Sequence, residues 1–172
     1  GVPCYGHEIL EAVAKKQGIP VERINQYEEN ATGSVPYTMF VMSRVQTGNP
    51  DMLTAGGKVF LDEQLEIRRL ATAGPAIFLG HCACDALKDQ KGVVKVFIHS
   101  EDEEEIKARI TKDYGIAPED VESTRRYYNK KRAGYFRANT GNDWSNLKNY
   151  DVVLDSSKLG IEGCVNVLKG LF

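Results

Sequence analysis

Three short apolar runs constrain this chain more than anything else in it. They are Ala76-Ile77-Phe78-Leu79, Val93-Val94-Lys95-Val96-Phe97-Ile98 and Asp151-Val152-Val153-Leu154. Runs of this length without strict alternation read as strands buried on both faces. Each is preceded or followed by a helical segment of roughly ten residues or more, the alternation that builds a parallel sheet covered by helices. The expected fold is therefore a three-layer α/β architecture. At 172 residues it forms one domain, long enough to bury its core without disulfides or a structural metal.

The segments around these runs carry their own start and stop signals. Residues 1–6 read as a strand end or turn, and residues 7–17 as a helix with Ile9, Leu10, Val13 and Ala14 on one face, stopped by Gly18 and Pro20. A short acidic helix is expected at 21–29, and Asn30-Ala31-Thr32-Gly33-Ser34 is a loop of small, hydrogen-bonding residues able to hold a ligand or simply to turn. A helix is expected at 35–45 and a loop at 47–57. Residues 58–73 repeat Phe60, Ile67, Leu70 and Ala71 on one side, with Glu63, Glu66, Arg68 and Arg69 supplying charge. Ser100 with Glu103 is expected to cap a helix in which Ile106, Ile110 and Tyr114 recur, and its acidic first turn suits the helix dipole. Trp144 reads as a packing anchor. The last helix, at about 159–171, is expected to bury Ile161, Val165 and Leu168.

Six of the 22 basic residues fall within residues 124–137, although the chain as a whole carries a formal charge of −2. At helical spacing Arg125, Asn129 and Arg132 lie within about 60° of one another, with Tyr128 and Tyr135 beside them. Two guanidinium groups on one face can clamp phosphate oxygens bidentately, and the amide between them can bind a sugar hydroxyl or a base edge. The alternative is a solvated basic helix whose tyrosines pack inward. Ligands of open parallel sheets sit beyond the carboxyl ends of the strands. Residues 80–84, His99-Ser100 and Asp155-Ser156-Ser157 occupy those ends, and the basic helix lies between the second and third of them in the chain.

The near-neutral charge argues against nucleic-acid or membrane-surface partners, which call for a broad basic face, and favours a small anionic ligand. No apolar run approaches the length of about 20 residues that spans a bilayer, and the first residues lack the pattern of a signal peptide, so a cytoplasmic protein is expected. Cys4, Cys82, Cys84 and Cys164 are spaced as reduced thiols rather than as a disulfide framework. His81, Cys82 and Cys84 carry ligand atoms, but no second Cys/His pair completes a zinc set, and no metal site is expected from side chains alone.

With these pieces in place, the chain resembles the cytidylate kinase-like family, relatives of the nucleoside monophosphate kinases among the P-loop phosphotransferases. The resemblance runs through residues 1–10, through Gly74-Pro75-Ala76-Ile77-Phe78-Leu79-Gly80-His81-Cys82-Ala83, and through Lys131-Arg132-Ala133-Gly134-Tyr135-Phe136 with Thr140-Gly141 and Trp144. It ends in Asn149-Tyr150-Asp151 with residues 155–162. It implies a P-loop kinase-like domain over residues 1–172, with a helical lid at about 118–146. It also implies transfer of the ATP γ-phosphate, with Mg²⁺, to a nucleoside monophosphate, cytidylate first among them. Arg125 and Arg132 would then be the phosphate-contacting arginines, and Asn129, His81, Cys84 and Ser34 would bind the acceptor. A catalytically weak or inactive nucleotide-binding module of the same fold is the alternative.

The sequence departs from the family pattern at several points. His81 stands where the family has Arg, Cys84 where it has Asp, and Asn129 where similar kinases use Asp. His replaces a permanent charge by one mostly absent at pH 7, and Cys or Asn removes a carboxylate. No Gly-x-x-x-x-Gly-Lys-Ser/Thr occurs, and Gly56-Gly57-Lys58 follows a loop rather than a strand. A parallel sheet lacking its central strand would leave backbone groups unpaired at a cost beyond a domain's net stability. The expectation is that about two dozen residues, with the strand and phosphate loop, precede residue 1.

Overall fold

The computed structural model describes residues 1–24 and 55–171. The loop holding Ser34, the helix expected at 35–45 and most of the loop expected at 47–57 lie outside the described residues. So does the acidic helix after its first turn, which is helical at 21–24. The chain divides into two compact units, Gly1–Val93 with Lys131–Ser145, and Val94–Lys130 with Asn146–Phe172.

The first unit contains β1 (Cys4–Tyr5), α1 (His7–Gln17), α2 (Ala55–Ala73), β2 (Ile77–Phe78) and the single turn α3 (Ala83–Ala86). Helix α1 has the expected bounds. Its Ile9, Leu10, Val13 and Ala14 are buried, and Gly18 closes it in the left-handed conformation that glycine adopts without a Cβ clash. Helix α2 begins earlier than its apolar repeat suggests, so Gly56 and Gly57, expected in a loop, are helical. Burial of Gly57, Val59 and Phe60 offsets the low propensity of each glycine, about 1 kcal/mol. Leu10, Val13, Ala14, Ile24 and Val59 form one core cluster, and Ile9, Ile67, Ala83, Ala86 and Leu87 another. Each fully buried aliphatic here contributes about 1.5–3 kcal/mol of transfer free energy. Strands β1 and β2 pair in parallel, Cys4 opposite Ile77 and Tyr5 opposite Phe78.

The second unit contains β3 (Val96–His99), α4 (Glu103–Tyr114), the first half of α5 (Val121–Thr140), a 3-10 turn at Leu147–Asn149, β4 (Val152–Asp155) and α6 (Ser156–Lys169). Strands β3 and β4 pair in parallel from Val96 opposite Val152 to His99 opposite Asp155. Asp151 anchors the start of the pair, its carboxylate accepting from the Lys95 amide at 2.8 Å.

The protein is thus a mixed α/β chain with small parallel sheets, and several sequence expectations need correction. The apolar runs are not buried on both faces: Ile77 is 48% exposed and Ile98 51%. Each strand pairs with one other strand among the described residues. Asp102, not Ser100, caps α4. It immediately precedes the first helical residue, and its carboxylate accepts from the Glu105 amide at 3.0 Å. Ile106 is buried but Tyr114 is exposed, because a repeat of eight residues drifts about 80° around a helix of 3.6 residues per turn. Ile161 is exposed and Cys164 is the buried residue of α6. Gly160 leaves helical geometry (φ 66°, ψ 170°), so the face counted from Leu159 does not continue past it. Among the described residues, no helix is long and apolar enough to cross a membrane.

Candidate functional site

In the first unit β2 runs into a turn of three consecutive left-handed residues, Gly80 (φ 79°), His81 (φ 51°) and Cys82 (φ 53°). Glycine adopts this geometry freely, whereas His and Cys do so at a cost of about 1–3 kcal/mol each, which is sustained only where their surroundings enforce it. Here the surroundings do. The Gly80 carbonyl accepts from the Ala83 amide, the Cys82 carbonyl accepts from Asp85 and Ala86, and the His81 carbonyl accepts from Gln64 Nε2 at 3.1 Å. Cys82 is buried with Phe60 and Phe136, and Cys84 packs on the same cluster beside Tyr135 and Trp144. Trp144 is therefore the packing anchor expected of it.

The second half of α5 belongs to this unit and closes over that cluster. Phe136, Ala138, Asn139 and Thr140 are buried, while Arg132 and Arg137 are exposed. Glu63 is 0% exposed, and its Oε2 accepts from the Tyr135 hydroxyl at 2.5 Å. The Tyr135 ring meets Phe60 edge-on at 6.3 Å. Asn139 and Thr140 fold their side chains back onto the carbonyls of Tyr135 and Phe136. Sequence reasoning counted Glu63 as surface charge and passed over Gln64. The available signal was their spacing: each sits four residues after a buried residue, Val59 or Phe60, and at or next to the position four before Ile67, on the apolar face.

In the second unit, His99 and Asp155 end the paired strands side by side. Ser156 Oγ donates to the His99 carbonyl at 3.0 Å, and Asp155 caps α6 by accepting from the amide and hydroxyl of Ser157. The Ser157 hydroxyl holds the Asp155 carboxyl below its usual range. The cap of α6 is thus Asp155, and Ser156 and Ser157 are its first helical residues. Arg125 is gripped by Glu122 at 2.7 Å and Glu103 at 2.9 Å, and it in turn draws the Glu122 carboxyl below its ordinary value. Asn129 is exposed.

Of the sequence-nominated residues, His81, Cys84 and Arg132 fall in the first unit and Arg125 and Asn129 in the second. Ser34 lies outside the described residues. The turn that carries His81 and the half-helix that carries Arg132 are brought together through α2 and the Phe60 cluster. Among the described residues, no three His, Cys, Asp or Glu side chains gather as a metal cage.

A family model described as the cytidylate kinase-like family matches residues 1–158. The structure is similar to a crystal structure of an uncharacterized protein from Eubacterium ventriosum, at 16% sequence identity and a TM-score of 0.67. The alignment covers 98% of this chain and 81% of that one. At that identity the likeness speaks for the fold alone. No curated protein matches the chain.

Proposed function

Because the chain belongs to the cytidylate kinase-like family, we propose that it is a phosphotransferase that moves the ATP γ-phosphate to a nucleoside monophosphate, with cytidylate the first acceptor to test. The observation that carries the proposal is the extent of the family match, which takes in both strand pairs and the whole basic helix α5. With it we assign the finer architecture, a three-layer P-loop kinase-like domain over residues 1–172 with a lid at about 118–146, and a cytoplasmic location. The partner is a small nucleotide, not a nucleic acid or a membrane.

Phosphoryl transfer asks a protein for positioning and charge neutralisation rather than for a covalent nucleophile. Arg132, exposed on α5, suits the phosphate role, being permanently charged and able to bind two oxygens at once. Arg125 takes the same role once the anion displaces Glu103 and Glu122, carboxylates that now hold it. Asn129, His81, Cys84 and Ser34 are assigned to the acceptor. Magnesium in such chemistry rides largely on phosphate oxygens and water.

A full-length sample given ATP, Mg²⁺ and a panel of nucleoside monophosphates should form ADP in an acceptor-dependent way, and Arg132→Ala should abolish the nucleotide dependence. No ADP with any acceptor would sink the proposal. A second reading, nucleotide binding without turnover, is favoured by one observation: His81, Cys84 and Asn129 stand where the resemblance leads one to expect charged residues. Saturable binding without ADP release would decide for it.

A further inference from the structure

Helix α2 buries two polar side chains side by side. Glu63 is 0% exposed and Gln64 4%, at positions where a leucine would add transfer free energy and lose no hydration. Their orientation accounts for the choice of residue. Gln64 Nε2 donates to the His81 carbonyl at 3.1 Å, inside the strained left-handed turn. Glu63 Oε2 accepts from the Tyr135 hydroxyl at 2.5 Å, on the half-helix that carries Lys131 and Arg132. One helical turn of α2 therefore grips both elements that bear candidate site residues of this unit. The grip is chemically specific in each case. The His81 carbonyl, held off its ordinary backbone conformation, can accept from an amide N–H, and a buried carboxyl oxygen can accept from a phenol O–H. Tyr135→Phe would keep the ring contact with Phe60 and remove the bond to Glu63.

We infer that Glu63 and Gln64 are positioning residues, a two-pronged clamp that sets the His81 turn and the Arg132 half-helix in place before a nucleotide phosphate arrives. Neither touches the ligand. The ligand's identity rests on the phosphotransferase reading, whereas the clamp is a property of the unliganded chain and has its own readout.

The test uses the full chain with Tyr135→Phe, Glu63→Gln and the double variant, followed by amide hydrogen exchange and by steady-state kinetics with ATP and cytidylate. With Tyr135→Phe, exchange across residues 131–140 should quicken about tenfold while strand residues 152–155 stay as in the parent. The ratio kcat/KM should fall about tenfold, mostly through KM. Glu63→Gln keeps an acceptor for the phenol and should recover much of both effects, and the double variant should be no worse than Tyr135→Phe alone. Unchanged exchange at 131–140, or an equal rise in both segments, would overturn the clamp. So would a parent-like KM in a Tyr135→Phe enzyme whose parent turns over. If the parent neither turns over nor binds ATP, the phosphotransferase reading falls, and the exchange pattern alone decides the clamp.

Discussion

The two halves of helix α5 are made from similar residues and are held by different physics. Residues 121–130 lie largely in solvent, and their arginines pair with surface carboxylates: Arg125 with Glu103 and Glu122, Arg126 with Glu122. Residues 131–140 turn Phe136, Ala138, Asn139 and Thr140 inward and hang Tyr135 on a buried carboxyl. Surface ion pairs are screened by salt and cost side-chain entropy, so they contribute little each, whereas burial contributes several-fold more per residue. One charge run therefore contains both a solvated face and a docked face, and its composition does not say where one ends.

The largest test of that contrast is Phe136→Ala. Truncating a buried ring removes its transfer free energy and leaves a cavity between Phe60 and Cys82, and should lower stability by about 3–5 kcal/mol in denaturant titration. A loss below about 1 kcal/mol would break the contrast, since it would place the docked half on the same footing as the solvated one.

Acid comes next. The Glu122 carboxyl is drawn below its ordinary value of 4.5 chiefly by its hydrogen bond to Arg125, and the Asp155 carboxyl is likewise depressed by Ser157. A depressed folded value means that the stabilisation is complete above the unfolded value and is lost as pH falls through the folded one. Between pH 7 and about 5, the protection of residues 121–130 against amide exchange, corrected for the intrinsic pH dependence of exchange, should hold steady, and it should fall below about 4. Loss of protection between pH 8 and 6 would point to a different group.

The smallest effect is expected from Glu122→Gln. It breaks the bridges to Arg125 and Arg126 on an exposed surface, so the unfolding midpoint should move by little more than experimental error. That small shift should vanish in about 0.5 M salt, where charge interactions are screened within a few ångströms. A large, salt-insensitive loss would mean that the first half is docked as firmly as the second.

The local punctuation of the chain was legible in advance. Helix α1 begins and ends where its apolar repeat and Gly18 put it, α4 carries its acidic first turn and stops at Gly115, and all three apolar runs contain strands. The family resemblance, carried by motifs from residue 1 to the Asp155 turn, agrees with the family match. Less legible was anything that depends on a distant partner. Ser100 looked like a cap because the capping-box spacing fitted, but Asp102 lies nearer the first free amides and takes the role. The exposed faces of Ile77 and Ile98 were hidden in the same way, because an apolar run does not state how many neighbours its strand will have.

By itself, then, the sequence determined the positions of the longer helices and of the strand-bearing runs to within a few residues, though not the single turn α3. It also determined that six of the 22 basic residues are concentrated on one helix. These properties depend on dihedral preference, capping and periodicity, all of which act within a few residues. Tertiary structure alone decided which groups Glu63 and Gln64 bond, that His81 and Cys82 take a left-handed turn, and that the second half of α5 buries more of its side chains than the first. Each outcome depends on pairings such as Tyr135 with Glu63, 72 residues apart. Periodicity can put a residue on a face, but only the packed chain supplies the partner that makes burying a polar group there affordable.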